Sequence, residues 1–136
     1  MTRQSLTARL RIPAAIALAG YWICLFIGTH VPQPEKFISP NLWDKGLHVF
    51  AYGGLAALVL LNLLLRAPLR WSRIAAVIAL VTAVGLFDEI TQIPVGRHFD
   101  LLDLTADVIG ATVASGVVAA IAVALDRMPG RGLPQA

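Results

Sequence analysis

Four apolar stretches, each about as long as a membrane-spanning helix, restrict most strongly what this chain can fold into. A helix rises about 1.5 Å per residue, so roughly 20 mostly apolar residues are needed to cross the hydrocarbon layer of a membrane. The segments between the stretches are too short to hold a further domain. The sequence therefore predicts an all-α, four-helix transmembrane bundle that forms a single domain over residues 1–136. The expected spans are about residues 12–31, 46–65, 74–93 and 104–125.

The composition excludes several classes of protein. Of the 136 residues, 57% are apolar and only 14% are charged, whereas a soluble domain has about 25% charged residues. The basic residues lie in short blocks between the apolar stretches, so we expect no nucleic-acid partner. Cys24 is the single cysteine, which excludes an internal disulfide and the paired spacing of a zinc site.

The first apolar stretch has two interpretations. Residues 17–19 read Ala-Leu-Ala, which is the form of a signal-peptide cleavage site. However, the apolar run before them is too short for the core of a signal peptide, and the run continues as far as Val31. We therefore expect a retained membrane anchor.

The basic residues predict the orientation, because short cytoplasmic loops hold an excess of Lys and Arg. Eight of the 11 lie before the first stretch, between the second and third, or after the fourth. Only Lys36, Lys45 and Arg97 lie at the opposite end. Both termini are therefore expected in the cytoplasm, where these arginines also meet anionic lipid.

Polar residues from three of the predicted helices lie near the expected outer side. Residues four apart share a helix face, so Asp44, His48 and Tyr52 form one stripe and Asp103 and Asp107 form another. The second stripe continues into a row of small residues at 106, 110 and 114, which lets helices approach closely. We expect one shared binding site, made of Asp44, Lys45, His48, Tyr52, Glu89, Gln92, Arg97, Asp100, Asp103 and Asp107.

The charges of this predicted site do not balance. A carboxylate that faces lipid costs at least about 2.5–3.5 kcal/mol, so acids within a membrane protein normally face its interior and find partners. With the aspartate at position 88 included, six acids here accompany only Lys45 and Arg97. Either some carboxyls are protonated, or His48 carries a proton, or a cation or cationic ligand is bound. A salt-bridged cluster with a purely structural role is the alternative interpretation. Arg97 either binds a carboxylate or phosphate of a ligand or forms a bidentate pair with Asp100 or Asp103.

The order and spacing of these residues resemble the VanZ-like family of small bacterial membrane proteins. The resemblance covers about residues 44–116 and rests on Asp44-Lys45-x-x-His48-x-x-x-Tyr52, Glu89-x-x-Gln92, Gly96-Arg97-x-x-Asp100-x-x-Asp103 and Asp107-x-x-Gly110. It implies a location in the bacterial cytoplasmic membrane and a role in the cell envelope related to glycopeptide (teicoplanin) resistance. Asp107 stands where the family usually has Asn, and a carboxylate accepts hydrogen bonds but donates one only when protonated.

The resemblance favours a protein that binds or alters an envelope lipid, a peptide or a cell-wall-directed antibiotic in this polar pocket. The alternative is an enzyme that acts on a lipid-linked phosphate, with Glu89, His48 and Asp103 as acid-base groups or metal ligands. A third class is a transporter, which would need an oligomer of such a short chain. We expect membrane lipids as partners and no cofactor. A pocket without metal is favoured because Lys45 and Arg97 would repel a cation.

The distribution of basic residues makes a topological prediction. Reporters or single cysteines at Lys36 and Arg97 should be accessible from outside the cell, and those at Arg70 and Arg131 only from the cytoplasm. Labelling of intact cells with an impermeant reagent is the measurement. Accessibility of Arg70 from outside would reverse both the orientation and the location of the pocket.

Overall fold

The computed structural model describes residues 3–30 and 42–127, except for the side chains of residues 3, 4, 6 and 42–44. Within these residues the chain forms four long α-helices and no strand, which confirms the predicted fold class. The helices are α1 (Arg3–Thr29), α2 (Leu42–Leu64), α3 (Trp71–Thr91) and α4 (Leu101–Asp126), and a 3-10 turn over Ile93–Val95 follows α3.

Each helix is long and apolar enough to cross a membrane. The helices begin before the predicted spans, because the backbone stays helical beyond the apolar part of each stretch. The predicted end of the first span, Val31, lies outside the described residues. Large apolar side chains such as Ile12, Phe50 and Val113 are exposed on the outside of the bundle. Such a surface suits contact with lipid.

The second helix is the centre of the bundle. It packs against each of the other three helices, most extensively against α4, and α3 also packs against α4. In contrast, α1 packs mainly on α2, and only 6% of its span is buried inside the protein, compared with 39% of the α2 span. Three helices therefore form the core, and α1 covers one side of it.

The helices α2 and α4 approach each other closely at Gly110. A Cβ atom added at Gly110 would overlap the carbonyl group of Val49 on α2. On the facing side, a Cβ at Gly53 would lie 3.1 Å from the carbonyl oxygen of Gly110. The two backbones can meet only because both positions lack a side chain, as the small-residue row on α4 predicts.

The turn between α3 and α4 determines where α4 begins. Gly96 ends the 3-10 turn with a φ of 86°, in the left-handed region that favours glycine. Four residues later, the Asp100 carboxylate accepts a hydrogen bond of 2.8 Å from the backbone N–H of Leu102. Asp100 is therefore the N-cap of α4 and fixes the residue at which this helix begins.

The contact at Gly110 makes a prediction with a matched control on the same helix. Gly110→Ala should lower the free energy of unfolding by about 1–3 kcal/mol, because the added methyl group must push α2 away. Gly116→Ala meets nothing within 4 Å and should be neutral or stabilising, since alanine is the better helix former. Thermal unfolding of the two purified variants in the same detergent is the measurement. Equal stability of both would contradict the proposed role of the contact.

Candidate functional site

The polar side chains of three helices meet at one end of the bundle. His48 and Tyr52 come from α2, and the remaining members come from the end of α3 and the start of α4. All are at least nine-tenths buried, and Asp88 and Asp107 are 0% exposed. We call this group the polar cluster; its members are His48, Tyr52, Asp88, Glu89, Gln92, Asp103 and Asp107.

The hydrogen bond between Asp107 and His48 links α4 to α2. His48 Nδ1 lies 2.8 Å from Asp107 Oδ1. When Asp107 is ionised, its carboxylate can only accept, and the hydrogen of this bond then lies on Nδ1 of the histidine. The Asp107 side chain can lie against α3 because residue 85 on that helix is glycine. A Cβ atom added there would lie 2.5 Å from Asp107 Oδ2. The other ring nitrogen, Nε2, then lies 3.8 Å from Asp103 Oδ2.

The three residues predicted as acid-base groups or metal ligands do come together. His48, Glu89 and Asp103 are all buried, and each offers one ligand atom within 4.8 Å of the others. Glu89 is held by the α3–α4 turn, where its Oε2 accepts a hydrogen bond of 2.8 Å from the backbone N–H of Asp100. The turn geometry thus positions a carboxylate that comes from the preceding helix.

A second buried pair lies deeper in the bundle. The Tyr52 hydroxyl donates to Asp88 Oδ2 over 2.5 Å, which links α2 to α3. The rings of His48 and Tyr52 are parallel to within 7°, with centroids 5.8 Å apart. The two residues of the α2 stripe are therefore ordered against each other as well as against their carboxylate partners.

Lys45 closes the end of the cluster. Its ammonium group lies 2.5 Å from Asp100 Oδ2 and also contacts Asp103 Oδ1. The hydrogen bond from Lys45 lowers the pKa of Asp100 from its ordinary value of 3.8, and the bond from the Leu102 N–H acts in the same direction. Asp100 is thus held in its ionised form at the rim, where its side chain is 41% exposed.

Arg97 lies apart from these carboxylates. Its Nη1 donates to the carbonyl oxygen of Thr29, at the end of α1, over 3.2 Å. The alternative considered from the sequence, a bidentate pair with Asp100 or Asp103, is replaced by the contacts that Lys45 makes with both. Arg97 therefore ties the α3–α4 turn to α1.

A cavity of about 410 Å³ lies between α1 and α2, beside the polar cluster. Its walls are mostly apolar, and its polar groups come from Tyr21, Thr29, His48, Tyr52 and Arg97. The remaining lining residues are Cys24, Leu25, Gly28, Leu47 and Ala51. His48 and Tyr52 thus face both the cavity and the buried carboxylates.

Three polar atoms of the cluster have no hydrogen-bond partner among the residues that the structure describes. They are Asp88 Oδ1, Gln92 Nε2 and Asp107 Oδ2. A buried polar group without a partner costs about 1–3 kcal/mol, and such groups in a native protein indicate an additional water molecule, proton or ion. Two of the three atoms are carboxylate oxygens that lack a donor, whereas Gln92 Nε2 is a donor that lacks an acceptor.

Comparison with known proteins identifies the family of the chain. A model of the VanZ/LLP1 family of sequences matches residues 18–123. The chain belongs to the VanZ/LLP1 family. The match begins within α1 and ends within α4, and so includes the whole polar cluster. None of the curated proteins and none of the solved structures compared with the chain gives a match. With its four apolar helices, this VanZ/LLP1 protein is a multi-pass membrane protein.

Sequence reasoning located most of the residues that meet in this VanZ/LLP1 protein, but not all of their partners. Asp88 was not among the expected binding residues, although it is fully buried and bonded to Tyr52. Asp88 lies four residues before Gln92, and this spacing indicates that both side chains are on the polar side of α3. The side chain of Asp44 lies outside the described residues. His30 also reaches α3, where its Nε2 lies 3.0 Å from Thr91 Oγ1.

The two roles of Asp100 can be separated by substitution. Asp100→Asn keeps an N-cap but removes the ion pair with Lys45, whereas Asp100→Ala removes both. The alanine variant should be less stable than the asparagine variant by about 0.5–2 kcal/mol, because α4 loses its cap. The partly exposed ion pair itself should contribute only about 0–1 kcal/mol.

The pH dependence provides the internal control. Because the pKa of Asp100 is lowered in the folded state, the benefit of the ion pair should be fully present above pH 3.8 and lost as the pH falls through the lowered value. The stability difference between the wild type and Asp100→Asn should therefore shrink on acidification, as measured by thermal unfolding. A difference that grew on acidification would rule out this account of the ion pair.

Proposed function

We propose that the protein binds an amphiphilic molecule of the bacterial cell envelope at the outer face of the cytoplasmic membrane. An envelope lipid, a peptide or a cell-wall-directed antibiotic would meet this description. The observation that supports the proposal is the cavity between α1 and α2, in which apolar walls end at His48, Tyr52 and Arg97. An apolar chain and a polar head group have separate places in such a cavity.

The apolar part of the cavity suits an acyl or alkyl chain. Its volume of about 410 Å³ lies within the range of about 300–1,000 Å³ that is typical of small-molecule sites. Leu25 and Leu47 belong to its walls, one from each helix. Because α1 packs mainly on α2, a chain can enter from the surrounding lipid between them without disturbing the α2–α4 contact.

The polar end of the cavity suits an anionic head group. The planar guanidinium of Arg97 matches the two oxygens of a phosphate or a carboxylate, and such charge-assisted pairs are stronger than neutral hydrogen bonds. His48 and Tyr52 add polar groups on the α2 side. With both termini in the cytoplasm, as the basic residues predict, this end of the bundle faces the outside of the cell.

A second candidate function is a hydrolase or transferase that acts on a lipid-linked phosphate. It is favoured by the convergence of His48, Glu89 and Asp103, whose ligand atoms lie within 4.8 Å of one another. Since His48 also lines the cavity, a head group held there would lie next to groups that can transfer protons or hold a metal ion.

Photo-crosslinking tests the binding proposal directly. The probes are an alkyl phosphate with a photoreactive group in its chain and the uncharged alcohol of equal length. The purified protein should be labelled by the phosphate probe on α1 and α2 residues of the cavity, such as Cys24 and Leu47. Arg97→Gln should weaken this labelling about 10-fold or more, because it removes a charge-assisted hydrogen bond worth about 1.5–3 kcal/mol.

The control variant is Arg70→Gln, which removes an exposed arginine at the opposite end of α3. It should leave labelling unchanged, and thermal unfolding of both variants shows whether they are folded. Equal labelling by both probes in wild type and Arg97→Gln would mean that the cavity takes up lipid without recognising a head group, and would exclude the proposal. A glycopeptide-susceptibility assay beside a quantitative blot then tests the envelope role in cells.

A further inference from the structure

The three buried groups His48, Glu89 and Asp103 also suggest a second binding site, which lies beside the amphiphile cavity and shares His48 with it. We propose that His48 Nε2 and the carboxylates of Glu89 and Asp103 bind a divalent transition-metal ion of the zinc class. One ligand comes from each of the three core helices, and all three side chains are buried. A bound ion would therefore join α2, α3 and α4 at the end of the bundle.

The orientation of His48 supports the proposal. Its Nδ1 is hydrogen-bonded to Asp107 Oδ1 at 2.8 Å, so in the neutral ring the lone pair lies on Nε2. A carboxylate that accepts from the far nitrogen of a metal-binding histidine holds the ring in place and makes it a stronger ligand. The Nε2 atom lies 3.8 Å from Asp103 Oδ2, one of the two proposed carboxylate ligands.

The two carboxylates are also held by neighbouring groups. Glu89 accepts a hydrogen bond from the backbone N–H of Asp100 through Oε2, at 2.8 Å. The two carboxylate oxygens of Asp103 have different neighbours. Oδ1 contacts the Lys45 ammonium group, and Oδ2 lies near His48. Lys45 and Arg97 were the reason to expect a pocket without metal, and Arg97 lies apart from these carboxylates. The position of Lys45 also leaves room for an ion. In the structure it lies on the outer side of Asp103 and leaves the inner oxygen directed towards the histidine.

The charges around the site favour a cation. Asp88 and Asp107 are fully buried next to the proposed ligands, and Oδ1 of the first and Oδ2 of the second have no hydrogen-bond partner among the described residues. Buried carboxylates are stable only when they are neutralised or paired. A divalent ion placed between Glu89 and Asp103 would neutralise these two charges and lower the cost of burying the others.

The ligand set indicates the class of metal. One imidazole nitrogen with two carboxylate oxygens suits Zn²⁺ and similar ions such as Mn²⁺ or Fe²⁺, whereas Mg²⁺ and Ca²⁺ prefer oxygen ligands alone. Bonds of about 2.0–2.2 Å place ligand atoms roughly 3.0–3.5 Å apart. The present separations of up to 4.8 Å need only small side-chain adjustments to close around an ion.

The test uses the full chain, purified with any affinity tag removed and with no amphiphile added. After loading with Zn²⁺ and removal of the excess, elemental analysis of the wild type should give close to one equivalent of metal. Glu89→Gln keeps the size of the side chain but removes the charged ligand, and should weaken Zn²⁺ binding by more than 100-fold. Asp107→Asn should weaken it by about 10–100-fold, because it changes only the group that orients His48.

Two matched controls separate this site from other metal contacts. Asp126→Asn removes an exposed carboxylate at the opposite end of α4, and His98→Ala removes an exposed histidine. Both should retain one equivalent. A wild type that holds well below one equivalent, or a Glu89→Gln variant that holds as much as the wild type, would overturn the proposal.

The wild-type measurement decides the matter even if a variant fails to fold, since a spectrum of the Co²⁺-loaded wild type reports whether nitrogen and oxygen ligands surround the ion. A spectrum equal to that of the hydrated Co²⁺ ion would contradict the proposed site. The metal measurement uses no amphiphile and the crosslinking uses no added metal, so the failure of one proposal can be distinguished from the failure of the other.

Discussion

The close contact between α2 and α4 at Gly110 is the constraint on which the rest of the structure depends. It brings the start of α4 within hydrogen-bonding distance of α2, so that Asp107 reaches His48. A second glycine, Gly85, gives Asp107 room on the α3 side. Polar groups that would be unstable against lipid thereby become partners of one another. The bundle is held together at this end by the need to bury charge as well as by packing.

His48 connects the two candidate sites of the protein. One side of its ring faces the apolar cavity between α1 and α2, and its Nδ1 is bonded to a carboxylate of the core. The cavity belongs to the loosely packed α1 side, whereas Glu89 and Asp103 belong to the three-helix core. A ligand in the cavity could therefore change the environment of the polar cluster without separating the core helices.

Much of the candidate site could be predicted from the sequence, because helical periodicity places residues four apart on one face. Lys45, His48 and Tyr52 on α2 and Asp103 and Asp107 on α4 do meet in space. Which side chain binds which partner on another helix could not be predicted, since this depends on how the helices are rotated and on the angle at which they cross. Arg97 illustrates this limit: the carboxylates considered as its partners bind Lys45, and the turn at Gly96 leads it to α1 instead.

The sequence by itself determined that the chain forms four membrane-spanning helices with acids concentrated towards one end, because length and hydrophobicity decide what can cross a membrane. It also indicated which faces are polar and where small residues let helices approach. Only the tertiary structure decided that Asp107 orients His48, that Tyr52 binds Asp88, and that α1 leaves a cavity beside them. These features depend on contacts between residues far apart in the chain, which local periodicity cannot specify.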